Sequence, residues 1–222
     1  MIRGLDVRGL DGTDGPAVTD GPQTSASARA RAETALRELL AGNARFVGGT
    51  PDPHIVSEAT RTALLDGQEP VAVLLGCVDS RVPPEVVLDQ GVGDLLTVRT
   101  AGQSLAGVAL GSIEFGVRVL GIPLVVVLGH TGCGAVLAAL SDDHADGHLG
   151  ELTGEVADRL AQVLGADPVR ATGANLDATV EVLRSLGTLA TPQGDDAYVV
   201  GLLYDMATGH VEVTDDAGLL VG

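Results

Sequence analysis

The chain has 222 residues, which is enough for one domain with a sizeable hydrophobic core. It carries 30 acidic against 13 basic side chains, so its formal net charge is −17. A surface of this charge repels phosphate backbones and anionic lipid headgroups, which argues against nucleic acid and membranes as partners. Hydrophobic residues make up 45% of the chain but aromatic residues only 2%, so the predicted core is aliphatic.

The first 26 residues are predicted to form a disordered tail, because they are rich in Gly, Asp, Thr and Pro and show no hydrophobic periodicity. This stretch lacks the apolar segment of a secretory signal, and no part of the chain has the roughly 18–20 apolar residues of a membrane span. We therefore expect a cytoplasmic protein with two free thiols, Cys77 and Cys133. Residues 27–222 are predicted to form a single α/β domain.

Helical and strand patterns alternate along that domain. Apolar residues at three- and four-residue spacing predict an N-terminal helical arm from Ser27 to about Phe46. Short apolar runs rich in valine predict buried strands at 71–75, 95–99, 124–128 and 197–204, and a hairpin turn leads to an edge strand at 211–213. Further helices are predicted at 57–66, 83–89, 107–120, 134–140, 151–164 and 174–186.

This alternation predicts the fold class. Strands separated by helices form right-handed crossovers and a parallel sheet. We therefore expect a mostly parallel central sheet of four strands with one antiparallel edge strand, and helices on both faces. Ligands of such sheets gather at the carboxyl ends of the strands. Cys77 and His130 each follow a buried strand directly, which places both at that edge.

Two thiols and one imidazole form a candidate zinc site. Cys77 opens the cluster Cys77-Val78-Asp79-Ser80-Arg81, and His130-Thr131-Gly132-Cys133 supplies the other two ligands. Thiolate and imidazole suit zinc, and three protein ligands leave a fourth tetrahedral position where water ionises near pH 7. The alternative is that all three residues are ordinary core side chains. The chain has no third cysteine to close a purely structural site.

Asp79 and Arg81 add a second element beside the thiol. Their spacing of two places both side chains on one face of an extended chain, where Arg81 can hold Asp79 as a carboxylate. We then expect Asp79 to accept a hydrogen bond from the zinc-bound hydroxide and so to orient the lone pair of that hydroxide. The alternative is that Asp79 moves onto the zinc as a fourth ligand and closes the site.

These motifs resemble those of the β-class carbonic anhydrases. The likeness rests on Cys-x-Asp-x-Arg and, about fifty residues later, His-x-x-Cys. It extends to Gly42-Asn43-Ala44-Arg45-Phe46, Val98-Arg99-Thr100-Ala101-Gly102 and Ser112-Ile113-Glu114-Phe115, and covers roughly residues 33–215. The resemblance implies one Zn²⁺ on Cys77, His130 and Cys133, an Asp79–Arg81 pair, and reversible hydration of carbon dioxide to bicarbonate and a proton.

The resemblance also assigns positions around the substrate. It implies substrate contacts from Gln68, Leu96, Ala101, Phe115 and Gly134, although the apolar members of this set would otherwise be interpreted as core. It implies a homodimer or a dimer of dimers, in which the N-terminal helix lies on the neighbour and both chains line the substrate slot. Residue 74 is leucine where members with a second, regulatory bicarbonate site carry tryptophan, although Arg99 and Tyr204 match that site.

Two rival functions stay open from the sequence. The same fold hydrolyses carbonyl sulfide or carbon disulfide in some relatives, and the width of the slot would decide between these substrates. A non-catalytic zinc scaffold is the second rival. The Asp79–Arg81 pair argues against a scaffold, because a scaffold has no need of it.

Overall fold

The computed structural model describes residues 27–52, 57–141, 145–161 and 167–220. The predicted tail at 1–26 lies outside these residues and stays a prediction. Five strands alternate with seven α-helices in the described part of the chain. The strands are β1 (Ala72–Cys77), β2 (Leu95–Thr100), β3 (Leu124–His130), β4 (Tyr198–Tyr204) and β5 (Val211–Asp215). The helices are α1 (Ala28–Val47), α2 (Glu58–Ala63), α3 (Pro84–Val87), α4 (Gly107–Glu114), α5 (Gly134–Ala139), α6 (Gly147–Leu160) and α7 (Pro168–Ser185).

The five strands form one sheet in the order β2-β1-β3-β4-β5. The first four are parallel to one another, and β5 pairs with β4 in the antiparallel direction. The predicted fold class is confirmed, with five strands in the sheet rather than four once the antiparallel edge is included. Because β1 and β3 are direct neighbours, their carboxyl ends at Cys77 and His130 meet at one edge of the sheet.

The core lies on both faces of the sheet. Every residue of β1 and β3 is buried, as expected for parallel strands covered by helices on each side. One face packs against α1 and α3 through side chains such as Leu74, Val126 and Leu36. The other face packs against α4 and α7 through Val73, Val125 and their neighbours. The apolar runs of the sequence thus place β1 and β3 in the centre of the sheet, and the candidate ligands Cys77 and His130 lie at the ends of these two strands.

Helix α1 packs on its own chain. Its N-cap is Ser27, whose hydroxyl accepts from the Ala30 N–H, and Leu36 and Leu39 are fully buried. At Gly42 the helix comes so close to the segment after α3 that a Cβ would lie 1.9 Å from the Leu88 carbonyl oxygen. The buried face of α1 thus packs on the sheet and α3 of its own chain, and a contact of this helix with a neighbouring chain stays a prediction.

Helices α4, α6 and α7 differ most from their predicted bounds. Helix α6 begins four residues earlier than predicted, because glycines at its start conceal the helical pattern, and α7 begins at a proline, a residue that suits the first turn. The helix predicted over 107–120 is α-helical to Glu114 and then widens into a π-helical turn at Phe115–Val119. Across the described residues, no helix has the length and apolar character needed to cross a bilayer.

Candidate metal centre and active site

Cys77, His130 and Cys133 converge where β1 and β3 end. Cys77 and His130 are the last residues of those strands, and Cys133 is the N-cap of α5. All three are buried, and one ligand atom from each lies within 4.8 Å of the others. The structure therefore brings together the three residues that the sequence singled out as zinc ligands, although they are separated by up to 56 positions.

The two sulfurs are spaced for a shared ion. Their Sγ atoms lie 3.9 Å apart, and both cysteines are free. Zn–S bonds of about 2.3 Å at a tetrahedral angle would separate two sulfurs by about 3.8 Å. Without a cation, the hydrogen bond between the two sulfurs lowers the pKa of Cys77 and raises the pKa of Cys133. Two thiolates this close repel each other, and a divalent cation between them removes that repulsion.

The imidazole of His130 is oriented toward the same point. Its Nδ1 lies 3.0 Å from the carbonyl oxygen of Thr131. A carbonyl only accepts, so Nδ1 carries the proton and Nε2 holds the lone pair. Among the described residues, Nε2 has no hydrogen-bond partner although it is buried. Buried polar atoms without a partner are rare, and a metal on Nε2 explains this one. The donor set therefore fits zinc.

Asp79 and Arg81 form the predicted pair. Nε and Nη2 of Arg81 donate to the two carboxylate oxygens at 3.0 and 2.7 Å, and the Arg81 backbone N–H donates to Oδ1 at 3.0 Å. These bonds hold the pKa of Asp79 well below its usual range, although partial burial opposes this. The carboxylate is thus ionised and turned onto Arg81, and it is not part of the sulfur–imidazole cluster.

Arg99 fixes the loop between the thiol and the carboxylate. Its Nε donates to the carbonyl of Cys77 at 2.8 Å, and its Nη2 donates to the carbonyl of Asp79 at 2.7 Å. The resemblance marked this residue within the segment 98–102 and as a match to a second bicarbonate site. Its structural role was missed, because a bond from an arginine to a distant backbone carbonyl leaves no pattern in the sequence.

The predicted substrate residues do not all lie together. Leu96 and Phe115 line one open groove of about 610 Å³, with the exposed Val108 at its side. Ala101 follows β2 directly, and Gly134 is the first residue of α5, next to Cys133. Gln68 is exposed on the segment before β1 and is not among the residues that line the groove. A substrate role for each of these five stays a prediction.

Known proteins are similar to this chain in sequence and fold. The family model described as carbonic anhydrase matches residues 72–211. Carbonic anhydrase 2 of Mycobacterium tuberculosis is 39% identical over 194 residues, which cover 83% of this chain and 93% of the relative. A carbonic anhydrase of Mycolicibacterium smegmatis is 37% identical, covering 83% and 94%. The chain belongs to the β-class carbonic anhydrase family.

Solved structures agree with this assignment. The β-carbonic anhydrase CafA of Aspergillus fumigatus aligns with a TM-score of 0.56 at 26% identity, covering 82% of this chain and 91% of that one. A β-carbonic anhydrase of Sordaria macrospora gives a TM-score of 0.61 at 23% identity, covering 82% and 97%, and supports the fold. As a member of this family the chain is an enzyme, and its family reaction is the hydration of carbon dioxide.

Proposed function

We propose that this carbonic anhydrase works with one zinc ion held by Cys77, His130 and Cys133. The observation that carries the proposal is the buried convergence of two sulfurs and an unpartnered imidazole nitrogen at one edge of the sheet. When bound there, zinc acts as a Lewis acid that lowers the pKa of a water molecule to about 7 and so supplies hydroxide at neutral pH.

Asp79 orients the reacting solvent in this proposal. Its carboxylate stays ionised because Arg81 donates to both oxygens, and an ionised carboxylate can only accept hydrogen bonds. Solvent at the site then donates a hydrogen bond to Asp79, and this bond turns a lone pair of the solvent oxygen toward the carbon of the substrate. The same two bonds keep Asp79 away from the thiols, which supports an open fourth metal position over ligation by Asp79.

The experiment that tests the function combines metal analysis with rate measurement. We expect close to one zinc per chain after dialysis, and stopped-flow hydration of carbon dioxide that rises between pH 6.5 and 9 as the coordinated water ionises. Hydrolysis of carbonyl sulfide or carbon disulfide much faster than hydration would favour the rival substrates. A zinc-loaded chain with neither activity would favour the remaining rival, a non-catalytic zinc scaffold.

We also propose that the enzyme is a homodimer or a dimer of dimers. Among the strands that the structure describes, β2 is at an edge of the sheet and pairs only with β1. Beside it lies the apolar groove, with Val108 86% exposed and Phe115 half-buried. An open strand edge next to exposed apolar side chains is a surface that proteins normally cover. The aligned enzymes of Sordaria macrospora are described as tetrameric.

Sedimentation velocity tests the assembly. At micromolar concentration we expect the wild-type chain to sediment as a dimer or larger species. Val108→Glu should shift the distribution toward monomer, because a carboxylate buried in an apolar interface is unfavourable. Wild-type protein that sediments only as monomer would contradict the proposed assembly.

A further inference from the structure

A strained turn packs against the proposed metal centre. The turn Ala101–Gln103 follows β2, and both Gly102 (φ +61°) and Gln103 (φ +55°) are left-handed. A non-glycine residue adopts this conformation rarely, so its surroundings must hold it there. A Cβ at Gly102 would lie 3.0 Å from the Cβ of Ala135 and 3.2 Å from Val156. The turn is therefore wedged between the sheet edge, α5 and α6.

Two buried side chains hold the turn by its backbone. The carbonyl of Gly102 accepts from Nη2 of Arg159 at 3.1 Å and from Nδ2 of Asn175 at 3.0 Å. The same amide lies 3.3 Å from Oε1 of Gln103, and Nε2 of Gln103 donates to the carbonyl of Leu128 at 3.0 Å. These bonds join α6, α7 and β3 to a single turn.

Arg159 is itself fixed on three sides. Its Nε donates to Oδ1 of Asn175 at 3.0 Å, and its Nη1 donates to Glu155 at 2.7 Å. The carboxylate of Glu155 also accepts from the Leu105 N–H at 2.7 Å and from the Ser104 hydroxyl. The Arg159 side chain is only 8% exposed. The guanidinium thus connects both ends of the turn, through Gly102 on one side and through Glu155 on the other.

The other side of the turn lies next to two of the proposed metal ligands. The turn follows Thr100, the residue of β2 that pairs in register with Cys77. Gly102 packs against Ala135, which lies two residues after Cys133 in the first turn of α5. Residues that surround metal ligands orient them and tune the affinity for the metal. A displaced turn would therefore shift the backbone that carries both sulfurs.

We propose that Arg159 and Asn175 are positioning residues for the metal centre, because they hold the Ala101–Gln103 turn in place between the end of β1 at Cys77 and the start of α5 at Cys133. The proposal rests on zinc binding at Cys77, as put forward above. It assigns a role to residues on two helices that touch neither metal nor substrate. If these residues only fastened the helices to the sheet, their loss would lower stability and leave the metal centre unchanged.

Arg184 offers a matched control for Arg159. It also lies on a helix, pairs with a glutamate one turn earlier (Glu181), and donates to a backbone carbonyl, that of Val199. Its remaining bonds go to Asp215 on β5 and not to the turn. Replacing either arginine by lysine keeps the charge but loses the planar fork that makes several bonds at once.

The test compares Arg159→Lys with Arg184→Lys. Zinc affinity is measured by competition with a chelator, and the Co²⁺-substituted proteins are compared by their thiolate-to-cobalt charge-transfer absorption. We expect Arg159→Lys to weaken zinc binding by about 10–100-fold and to shift the charge-transfer band. Both variants should lower the thermal midpoint of unfolding by similar amounts. Arg184→Lys should leave the zinc affinity and the cobalt charge-transfer band at their wild-type values.

A second variant covers the case in which Arg159→Lys does not fold. Asn175→Asp is nearly isosteric and still accepts from Arg159, but its carboxylate cannot donate to the Gly102 carbonyl. We expect the same loss of zinc affinity. Folded variants with the wild-type zinc affinity and cobalt spectrum would overturn the positioning role alone. A wild-type chain that binds no zinc and gives no thiolate–cobalt band would overturn the proposed function as well.

Discussion

Replacing Asp79 by alanine should lower the rate of carbon dioxide hydration by about 100-fold, the size of effect expected when a reacting group loses its orientation. Zinc content should stay near one per chain, because the Asp79 carboxylate is bound to Arg81 and is not part of the sulfur–imidazole cluster. Stopped-flow hydration and metal analysis on the same preparation measure the two effects separately.

The control for this variant is Asp215→Ala. Asp215 also accepts two hydrogen bonds from an arginine, Arg184, at 2.6 Å, and this pair likewise depresses its pKa. It lies at the end of the antiparallel edge strand, so its loss should affect stability slightly and hydration not at all. An Asp79→Ala enzyme that hydrates carbon dioxide at the wild-type rate would remove Asp79 from the mechanism.

The three candidate ligands were predictable from the sequence because strand ends are easy to locate. Val71–Leu75 and Leu124–Leu128 are apolar runs without alternation, which is typical of buried parallel strands, and each leads to a ligand within two positions. Parallel neighbours bring such ends together. The Asp79–Arg81 pair was predictable for a similarly local reason, since a spacing of two suffices to make it.

The support around the site was not predictable, because it depends on contacts between distant elements. Glu155 and Arg159 have the spacing of an ordinary exposed ion pair on a helix, and nothing in the sequence indicates that Arg159 is buried against Gly102. Likewise, the apolar face of α1 is clear in the sequence, but its pattern does not say whether the same chain or a neighbour covers it. The left-handed conformation of Gln103 has no sequence signal of its own.

Replacing Cys133 by serine should abolish stable metal binding while preserving the fold. Serine is close to cysteine in size and is a favourable N-cap, so α5 still begins at residue 134. Its hydroxyl does not ionise at neutral pH and is a poor ligand for zinc. The loss of affinity should exceed the roughly 10–100-fold expected from residues that only support the ligands. Metal analysis after dialysis should give far less than one zinc per chain.

Thermal unfolding provides an independent readout for the same variant. A ligand that binds only the folded state stabilises it, so a chelator should lower the thermal midpoint of the wild-type enzyme. Cys133→Ser should unfold at the same temperature with or without chelator, close to the midpoint of the metal-free wild type. Because the sulfurs of Cys133 and Cys77 lie 3.9 Å apart, any zinc ion that one of them binds must also be bound by the other. A serine variant that keeps one zinc per chain would therefore contradict the whole three-ligand site.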